Sequence, residues 1–421
     1  MSGALNVLMV TGYTPFAPVS GGRTRTLGVM ESLRGRVRFT LACLARPEEQ
    51  VEDMDRLRAT CDVVLVPRPP SPTLRAAAGM LVRSPRPFTE QVYRSPALGR
   101  RLGTLLATQT FDLVHVESFY LLQNLPRPCP VPVLLVDSAI EYVAWGRHAA
   151  HGLPAWQRPG FALEALKTRI AEPRAWRAAD AVGVVSEVDR ALVARLAPEV
   201  PVCLTPNGVD VHRFSPPLVP RAPAVAVFIG DYKYFPNVDA AVRLVRHIAP
   251  AVRAAHPDFT VRLIGKDPPE AVRALAGPGI VVTGAVPDVV PHLREASVFV
   301  CPVRSGSGTR TKLLEAMAAG CPVVTTAVGA EGLDLVPGVD ALFGDTDPDL
   351  ARAVRELLAS PTRAHALATG ARATAVGRFS WQVSADCHEA VYRRVAALRR
   401  RPASSAAPSA ASIAGHSPSQ S

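Results

Sequence analysis

The chain of 421 residues exceeds what one ordinary hydrophobic core organises, and 48% hydrophobic against 20% charged residues exclude a disordered polymer. Its 47 Lys and Arg outweigh 36 Asp and Glu for a formal net charge of +11, a balance suited to an anionic partner (nucleotide, diphosphate lipid, membrane face or nucleic acid) and equally to plain solubility. Seven scattered cysteines without a CxxC pair, no apolar run near the roughly 18 residues of a membrane helix, and an N-terminus lacking a basic n-region argue against a disulfide framework, a zinc site, a spanning segment and a signal peptide, and for a cytoplasmic protein.

NVLMVTGYTPF opens the chain as an apolar strand running into turn residues, and GGRTRTLGVMESLRGR follows with Gly21 and Gly22 at the head of an amphipathic stretch. Strand, glycine loop and helix in that order begin a doubly wound α/β domain. RFTLACL, CDVVLVP, FDLVHVES, VPVLLVD, AVGVVS and VCLTPNGV continue as strand candidates with helical patterns between most of them, which predicts a parallel sheet covered by helices on both faces. The pattern restarts at RAPAVAVFIGDYKYFPNVDAAVRLVRHIAP and runs on through FTVRLIG, GIVVTGAV, ASVFVCPV and PVVTTAV. The Pro-rich LVPRAPA at 218–224 is the expected hinge, which divides residues 1–217 from a second, similar α/β unit at 218–380. The Ser-, Ala- and Pro-rich 402–421 carries no Asp, Glu, Lys or Arg and is expected to be a disordered tail.

The densest chemistry lies in SGSGTRTKLLEAMAAGCPVVTT at 305–326. Thr311 stands where both a Walker A loop and a dinucleotide-binding GxGxxG need glycine, so neither motif is present. General physics still points to an oxyanion. Gly306 and Gly308 let backbone N–H groups approach closely, the helix expected from Lys312 to Ala319 points its positive end at the same place, and Arg310 and Lys312 add full charges. Together these suit a diphosphate that departs as a leaving group, without need of a metal. Glu315, one turn into the helix, is placed to accept both hydroxyls of a ribose.

This stretch resembles the donor-site motif of the retaining, group 1 type glycosyltransferases of glycosyltransferase family four. GGRTRTL, FDLVHVES, AADAVGVVSEVDRALV, TPNGVDVHRF, FIGDYKYFPNVDAA and FSWQ resemble further family segments in the same order. The resemblance implies the GT-B architecture, two facing Rossmann-like doubly wound domains with a nucleotide-sugar in the central cleft, a last helix at 381–401 crossing back to the first domain, retention of anomeric configuration, and no cofactor or metal. Carried across, Glu315 matches the ribose-binding glutamate, Gly21 and Gly22 the loop facing the donor phosphates, and residues 282–286 a strand end near the base. Gly306, Ser307, Gly308 and Thr309 fall in the donor loop, and Gly230 is expected to allow close backbone approach to the donor.

Three departures stand out against the family pattern. Ser307 occupies the place of a second glutamate that usually touches the sugar. Asp231 and Lys233 follow Gly230 where relatives usually carry an Arg and a Lys, which leaves the diphosphate to Arg310 and Lys312. SAIEY replaces HNxEY after VPVLLVD, so that Ser138 and Ala139 stand for His and Asn while Glu141 and Tyr142 remain, with Asp137 and Glu141 expected on the acceptor side. The function implied is transfer of a hexosyl unit from a nucleotide-diphosphate sugar to a carbohydrate or lipid-linked hydroxyl acceptor, in cell-surface polysaccharide or glycolipid biosynthesis. A catalytically inactive nucleotide-sugar-binding subunit and a nucleotide-sugar epimerase remain open as alternatives.

Asp345–Asp347 (DTD) mimics a metal-binding DxD but precedes Pro348 and a helical run, so an N-cap Asp explains it. His115, in an apolar strand, reads as a hydrogen-bonded core residue. The stretch 74–102 mixes Arg83, Arg86, Arg94, Arg100 and Arg101 with Met80, Leu81, Phe88 and Tyr93. It suits either an anionic membrane surface at the inner face of the cell membrane or a solvated basic face. No aromatic-basic interleaving supports a nucleic-acid partner.

Overall fold

The short apolar runs that alternate with helical patterns become strands in two wholly parallel sheets. The computed structural model describes residues 3–15, 21–46, 54–150, 155–217 and 221–398. The first sheet holds β1 (Leu5–Thr11), β2 (Val37–Ala45), β3 (Asp62–Pro67), β4 (Leu113–Glu117), β5 (Val133–Asp137), β6 (Ala181–Val184) and β7 (Val202–Leu204) in the order β3-β2-β1-β4-β5-β6-β7. The second holds β8 (Val225–Ile229), β9 (Thr260–Ile264), β10 (Ile280–Gly284), β11 (Val298–Cys301), β12 (Val323–Thr325) and β13 (Leu342–Phe343) in the order β10-β9-β8-β11-β12-β13. Both orders reverse direction once, between β1 and β4 and between β8 and β11. In open sheets of this kind, ligands sit beyond the carboxyl ends of the strands at such a reversal.

Every residue of β4 and β5 is buried, as continuous apolar runs in a sheet covered on both sides should be. Alternate residues of β1 feed two separate cores. Leu8 and Val10 pack with Leu98, Val116 and Trp176, while Val7 and Met9 pack with Met30, Leu113 and Tyr392. Tyr392 belongs to the last helix, Trp381–Ala396, so the end of the described chain completes the core of its beginning. The second sheet has a core of its own around Val227, Phe228, Leu263, Phe299 and Val324.

The return of that helix is fixed by a wedge. Val209 donates its N–H to the Phe379 carbonyl at 2.7 Å and accepts from the Trp381 N–H at 3.2 Å. The Trp381 ring then lies between two glycines: a Cβ on Gly28 would sit 2.1 Å from it and one on Gly208 2.3 Å. These contacts join GGRTRTLG, PNGVD and FSW, three segments far apart in sequence.

The sequence reading differs from the structure in some particulars. β13 was not anticipated, because Leu342–Phe343 is too short to carry an alternation. The helix cap before Pro348 is Thr346, whose hydroxyl accepts from the Asp349 N–H, whereas Asp347 pairs with Arg243 and Asp345 accepts from the Ala327 N–H at 2.9 Å. Residues 218–220 of the expected hinge and all of the expected tail lie outside the described residues.

Gly28→Ala and Gly208→Ala are each expected to lower the melting temperature, because the Trp381 ring is held from both sides and overpacking costs about 1–3 kcal/mol. Gly103→Ala is the control. It lies in the Pro96–Thr108 helix with nothing within 4 Å of an added Cβ, and helix propensity alone should make it neutral or stabilising by up to about 1 kcal/mol. Thermal denaturation of the three variants tests the contrast.

Candidate active site

A cleft of about 710 Å³ opens between the two sheets, lined from both sides by residues of the strand ends where the sheet order reverses. After β1, the helix Gly21–Ser32 begins at the cleft with Gly21, Gly22, Thr24 and Arg25 in its wall. After β11, the helix Thr311–Ala318 does the same with Arg310, Thr311, Lys312 and Glu315. Arg310 at its N-cap supplies no side-chain cap, so the first N–H groups are left for another partner. The helix ends as its sequence demands: Gly320 at φ 60° donates to Met317, and Cys321 donates to Ala316, each at 2.9 Å, which closes a Schellman motif.

The two helix starts meet head to head. A Cβ on Gly21 would lie 3.5 Å from the Thr311 hydroxyl. Lys312, one residue further on, turns toward the second sheet. Its Nζ donates to the Asn237 side-chain oxygen at 2.6 Å and lies 4.6 Å from the centroid of the Phe228 ring. Burial, with Arg310 adding to it, pulls the Lys312 ammonium down to about 8. Burial likewise pushes the Glu315 carboxyl up to about 7.

Arg310 is engaged otherwise than its sequence position suggests. It donates from Nη1 to the carbonyls of Ser307 (2.6 Å) and Gly308 (2.7 Å), and from Nη2 to that of Ser305 (3.3 Å). The side chain is buried and curls the donor loop around itself, with Nε alone lacking a partner among the described residues. Gly306 and Gly308 are not part of the cleft wall. Both have positive φ, 101° and 74°. A Cβ on Gly308 would lie 2.3 Å from the Ser138 carbonyl oxygen, and one on Gly306 2.7 Å from the Tyr234 hydroxyl. Their glycine character permits the loop to dock.

What the loop docks on is the segment after β5. The Ser307 hydroxyl donates to the Ile140 carbonyl at 2.9 Å. Arg147 donates to the Gly306 carbonyl at 2.6 Å and forms a two-pronged pair with Glu331 at 2.5 and 2.7 Å. Asn207, from PNGVD, donates to the Thr309 hydroxyl at 2.6 Å. Ser138 and Ser307, two of the three departures from the family pattern, thus lie at one contact.

The expected acceptor-side residues separate. Glu141 lines the cleft at the start of the Glu141–Ala150 helix, and burial, with the Asp137 and Glu164 charges, pushes its carboxyl up to about 7. Asp137 is buried and absent from the cleft wall. Its carboxylate accepts from the Phe119 N–H (2.9 Å) and the Trp176 indole (2.7 Å), a structural occupation that leaves it no reach to a substrate. Gly230 lines the cleft, and Gly265 beside it is conformationally required: its φ is 151°, and an added Cβ would fall 1.7 Å from the Gly230 carbonyl oxygen.

Several wall residues escaped the sequence reading. Lys266 pairs with Asp231 at 3.2 Å. Arg25 is buried, lies 3.5 Å from Glu117, and donates to the Asn207 side-chain oxygen at 2.7 Å. Burial works to raise the Glu117 carboxyl, but Arg25 and the His115 bond hold it below its ordinary value. Trp145 and His148 enter from the Glu141–Ala150 helix, and Tyr234 and Asn237 from around the start of the Phe235–Arg243 helix. The clue to Trp145 and His148 was their spacing of four and seven residues from Glu141, which places all three along one helical face. His115 is the hydrogen-bonded core residue expected, 2.7 Å from the Tyr392 hydroxyl and 3.2 Å from Glu117. Among the described residues, no group of three or more His, Cys, Asp or Glu side chains is arranged to hold a metal ion.

Comparison with known proteins agrees with this geometry. Residues 20–213 match the profile described as Glycosyltransferase Family 4, and residues 223–360 the one described as Glycosyl transferases group 1. A phosphatidyl-myo-inositol mannosyltransferase of Mycobacterium leprae is 33% identical over 210 residues, 45% of this chain and 53% of that protein. A GDP-mannose-dependent alpha-(1-6)-phosphatidylinositol monomannoside mannosyltransferase of Mycolicibacterium smegmatis is 30% identical over 230 residues, 48% and 59% of the two chains. The chain thus spans about half the length of the curated relatives it matches. Among solved structures, sucrose-phosphate synthase from Thermosynechococcus elongatus superposes with a TM-score of 0.73 at 17% identity, over 93% of this chain and 99% of that one. Anabaena HepE in complex with UDP and glucose gives 0.67 at 14%, over 92% and 99%. The fold of the chain is GT-B, and the chain belongs to the group 1 glycosyltransferases of glycosyltransferase family 4.

Proposed function

We propose that this protein is a retaining glycosyltransferase that moves a hexosyl unit from a nucleotide-diphosphate sugar to a hydroxyl of a carbohydrate or lipid-linked acceptor, in cell-surface polysaccharide or glycolipid biosynthesis. The observation that carries the reading is the meeting of two helix N-termini across the cleft, with Lys312 in the cleft wall beside them. Like dipole ends at contact distance repel unless an anion lies between them, and a diphosphate supplies that anion.

In this reading Lys312 and the two helix starts take the negative charge as the sugar–phosphate bond loosens. The acceptor hydroxyl enters on the same face, and the departing phosphate oxygen takes its proton. Arg310 acts by shaping the loop and through its field, since its Nη groups are engaged with carbonyls. Glu315 accepts the ribose hydroxyls, and Ala285, Val286 and Val289 form an apolar wall for the base. Transfer to a lipid-linked acceptor is supported by one surface. Each acid of the Arg158–Arg177 helix, Glu164 and Glu172, is buried, whereas Arg158 and Arg169 are exposed, as are Val82, Trp156, Leu166 and Ile170. Leu74–Arg83, packed against that helix, carries exposed Arg75 and Arg83 and no acid. An anionic bilayer fits such a face. No helix among the described residues is long and apolar enough to cross a membrane.

Lys312→Ala is expected to reduce turnover about 100- to 1,000-fold, and near-wild-type turnover in the purified variant would sink the assignment. In a thermal-shift titration with UDP, GDP, TDP and ADP, one diphosphate at 100 times its Kd should stabilise by about 2.7 kcal/mol, and Glu315→Ala should weaken that response. Binding of the matching sugar nucleotide without turnover on any acceptor would favour the inactive-subunit alternative.

Proton linkage gives a second check. Lys312 is mostly neutral above about pH 8 in the free protein, and a bound diphosphate favours its charged form. Calorimetry at pH 8.5 in buffers of different ionisation enthalpy should record net proton uptake on binding, lost in Lys312→Met. Absence of uptake in the wild type argues against contact between Lys312 and the diphosphate. Vesicles containing phosphatidylserine should co-sediment the protein, and replacing Arg75, Arg83, Arg158 and Arg169 by Gln should release it. Undiminished binding of that variant counts against the membrane face.

A further inference from the structure

A directed chain of hydrogen bonds runs from the last helix to the donor loop. Arg25, 2% exposed, stands at its centre. Its Nη2 faces Nε2 of His388 at 3.3 Å, its Nη1 donates to the Asn207 side-chain oxygen at 2.7 Å, and its Nε lies 3.5 Å from Glu117. The direction of each bond follows from the groups involved. Nδ1 of His388 faces the Ser384 carbonyl at 2.8 Å, which only accepts, so Nδ1 carries the ring proton. Burial, with the Arg25 charge, pulls the His388 imidazolium down to about 3, so the ring is neutral and Nε2 accepts from Arg25. The Ser384 hydroxyl donates to the Pro206 carbonyl at 2.8 Å and fixes the backbone just before Asn207.

A guanidinium only donates, so the atom it meets on Asn207 is the amide oxygen, and the amide nitrogen is turned away from it. That nitrogen donates to the Thr309 hydroxyl at 2.6 Å. Asn207 therefore cannot take the Thr309 proton, and among the described residues the hydroxyl donates to no other group. The Thr309 methyl group faces elsewhere, 3.0 Å from where a Cβ on Gly332 would lie. Asn207 and Thr309 both line the cleft, and Thr309 stands two residues before the helix Thr311–Ala318, whose N-terminus has no side-chain cap. A hydroxyl that accepts from an amide coupled to a cation is polarised into a better donor. A donated proton without a protein acceptor, beside an uncapped helix start, suits a partner that only accepts, and a phosphate oxygen is such a partner.

We propose that Arg25 and Asn207 are positioning residues for donor binding: together they orient the Thr309 hydroxyl so that it presents its proton to a phosphate oxygen of the bound diphosphate. The proposal rests on the nucleotide-sugar reading and goes beyond it in giving Thr309 a contact and Arg25 and Asn207 a task performed through that contact. The last helix takes part from outside the cleft, because His388 holds one prong of Arg25 and Ser384 holds the backbone before Asn207.

The test is calorimetric titration of UDP, GDP, UDP-glucose and GDP-mannose into the wild type, Thr309→Ser, Thr309→Val, Asn207→Asp and the double variant Asn207→Asp/Thr309→Val. Thr309→Ser keeps the hydroxyl and should bind the preferred diphosphate within about threefold of wild type. Thr309→Val should lose about 10- to 100-fold, the worth of a hydrogen bond to a charged group, for the diphosphate and its sugar nucleotide alike. Asn207→Asp retains a bond to Arg25 and one to Thr309 but reverses the second, because a carboxylate accepts where the amide donates. A tie that merely joins the two domains survives that reversal, whereas the relay predicts a loss like that of Thr309→Val. The double variant separates orientation from the added charge: it should bind no worse than the weaker single variant. Wild-type affinity in Thr309→Val or Asn207→Asp, an equal loss in Thr309→Ser and Thr309→Val, or additive losses in the double variant overturns the relay. A loss confined to the sugar nucleotides removes the contact from the phosphate and overturns it as well. A wild type that binds none of the four ligands removes the nucleotide-sugar reading itself, a result distinct from the others.

Discussion

Two helix N-termini that touch across a cleft impose a constraint on everything around them. Their dipoles repel, and the contact persists because loops from both sheets are fastened to each other beside it. The fastening is polar and local: Ser307 to Ile140, Asn207 to Thr309, Arg147 to Gly306 and Glu331. None of these bonds lies in a sheet or a core. The cores of the first sheet remain separate from that of the second, and the cleft between the sheets is held by side chains that can exchange partners with water. Parallel sheets with one reversal each deliver the two helix starts to the same place, which is why the site needs residues from both ends of the chain.

The donor loop is folded by its own arginine. Three carbonyls of residues 305–308 converge on Arg310, a buried cation satisfied by backbone instead of by a carboxylate. Such carbonyls, left unpaired in a buried loop, would cost more than the bonds return. Two glycines at positive φ let the loop make this curl while lying flat on the segment after β5. The small side chain at 307 belongs to the same design, since its hydroxyl is seated on the Ile140 carbonyl and bulk there would lift the loop.

Much of the architecture was legible in the sequence because its signals are local. Apolar runs of four to nine residues, glycines after strands and prolines at helix starts each determine a backbone state within a few residues. The helix after the donor loop, its glycine stop, and the placement of Lys312 and Glu315 in the cleft follow from such signals. What was not legible depends on partners far away in sequence. Arg310 looks like a ligand-binding cation until the carbonyls it satisfies are located. Asp137 looks like an acceptor-side residue until Trp176 is found on its carboxylate. His148 and Trp145 share a helical face with Glu141, but which face of that helix turns inward is decided by the loop it meets. Lys266 sits at the end of β9, and its place beside Asp231 depends on the pairing of β8 with β9.

The wedge of Trp381 between Gly28 and Gly208 has a consequence for biosynthesis. Tyr392, Ala385, Val391 and Val395 fill one face of the first sheet, so that sheet lacks part of its core until the chain has been made nearly to its end. At about 5–20 residues per second, the interval between completing β7 and completing the last helix is roughly 10–40 s. Throughout that time Leu5, Met9, Phe39 and Leu41 have only a partial cover. The nascent first domain is thus a natural client for a chaperone, and the second domain, whose core takes only Val209, Val211 and Phe214 from before the hinge, can fold before the first is finished.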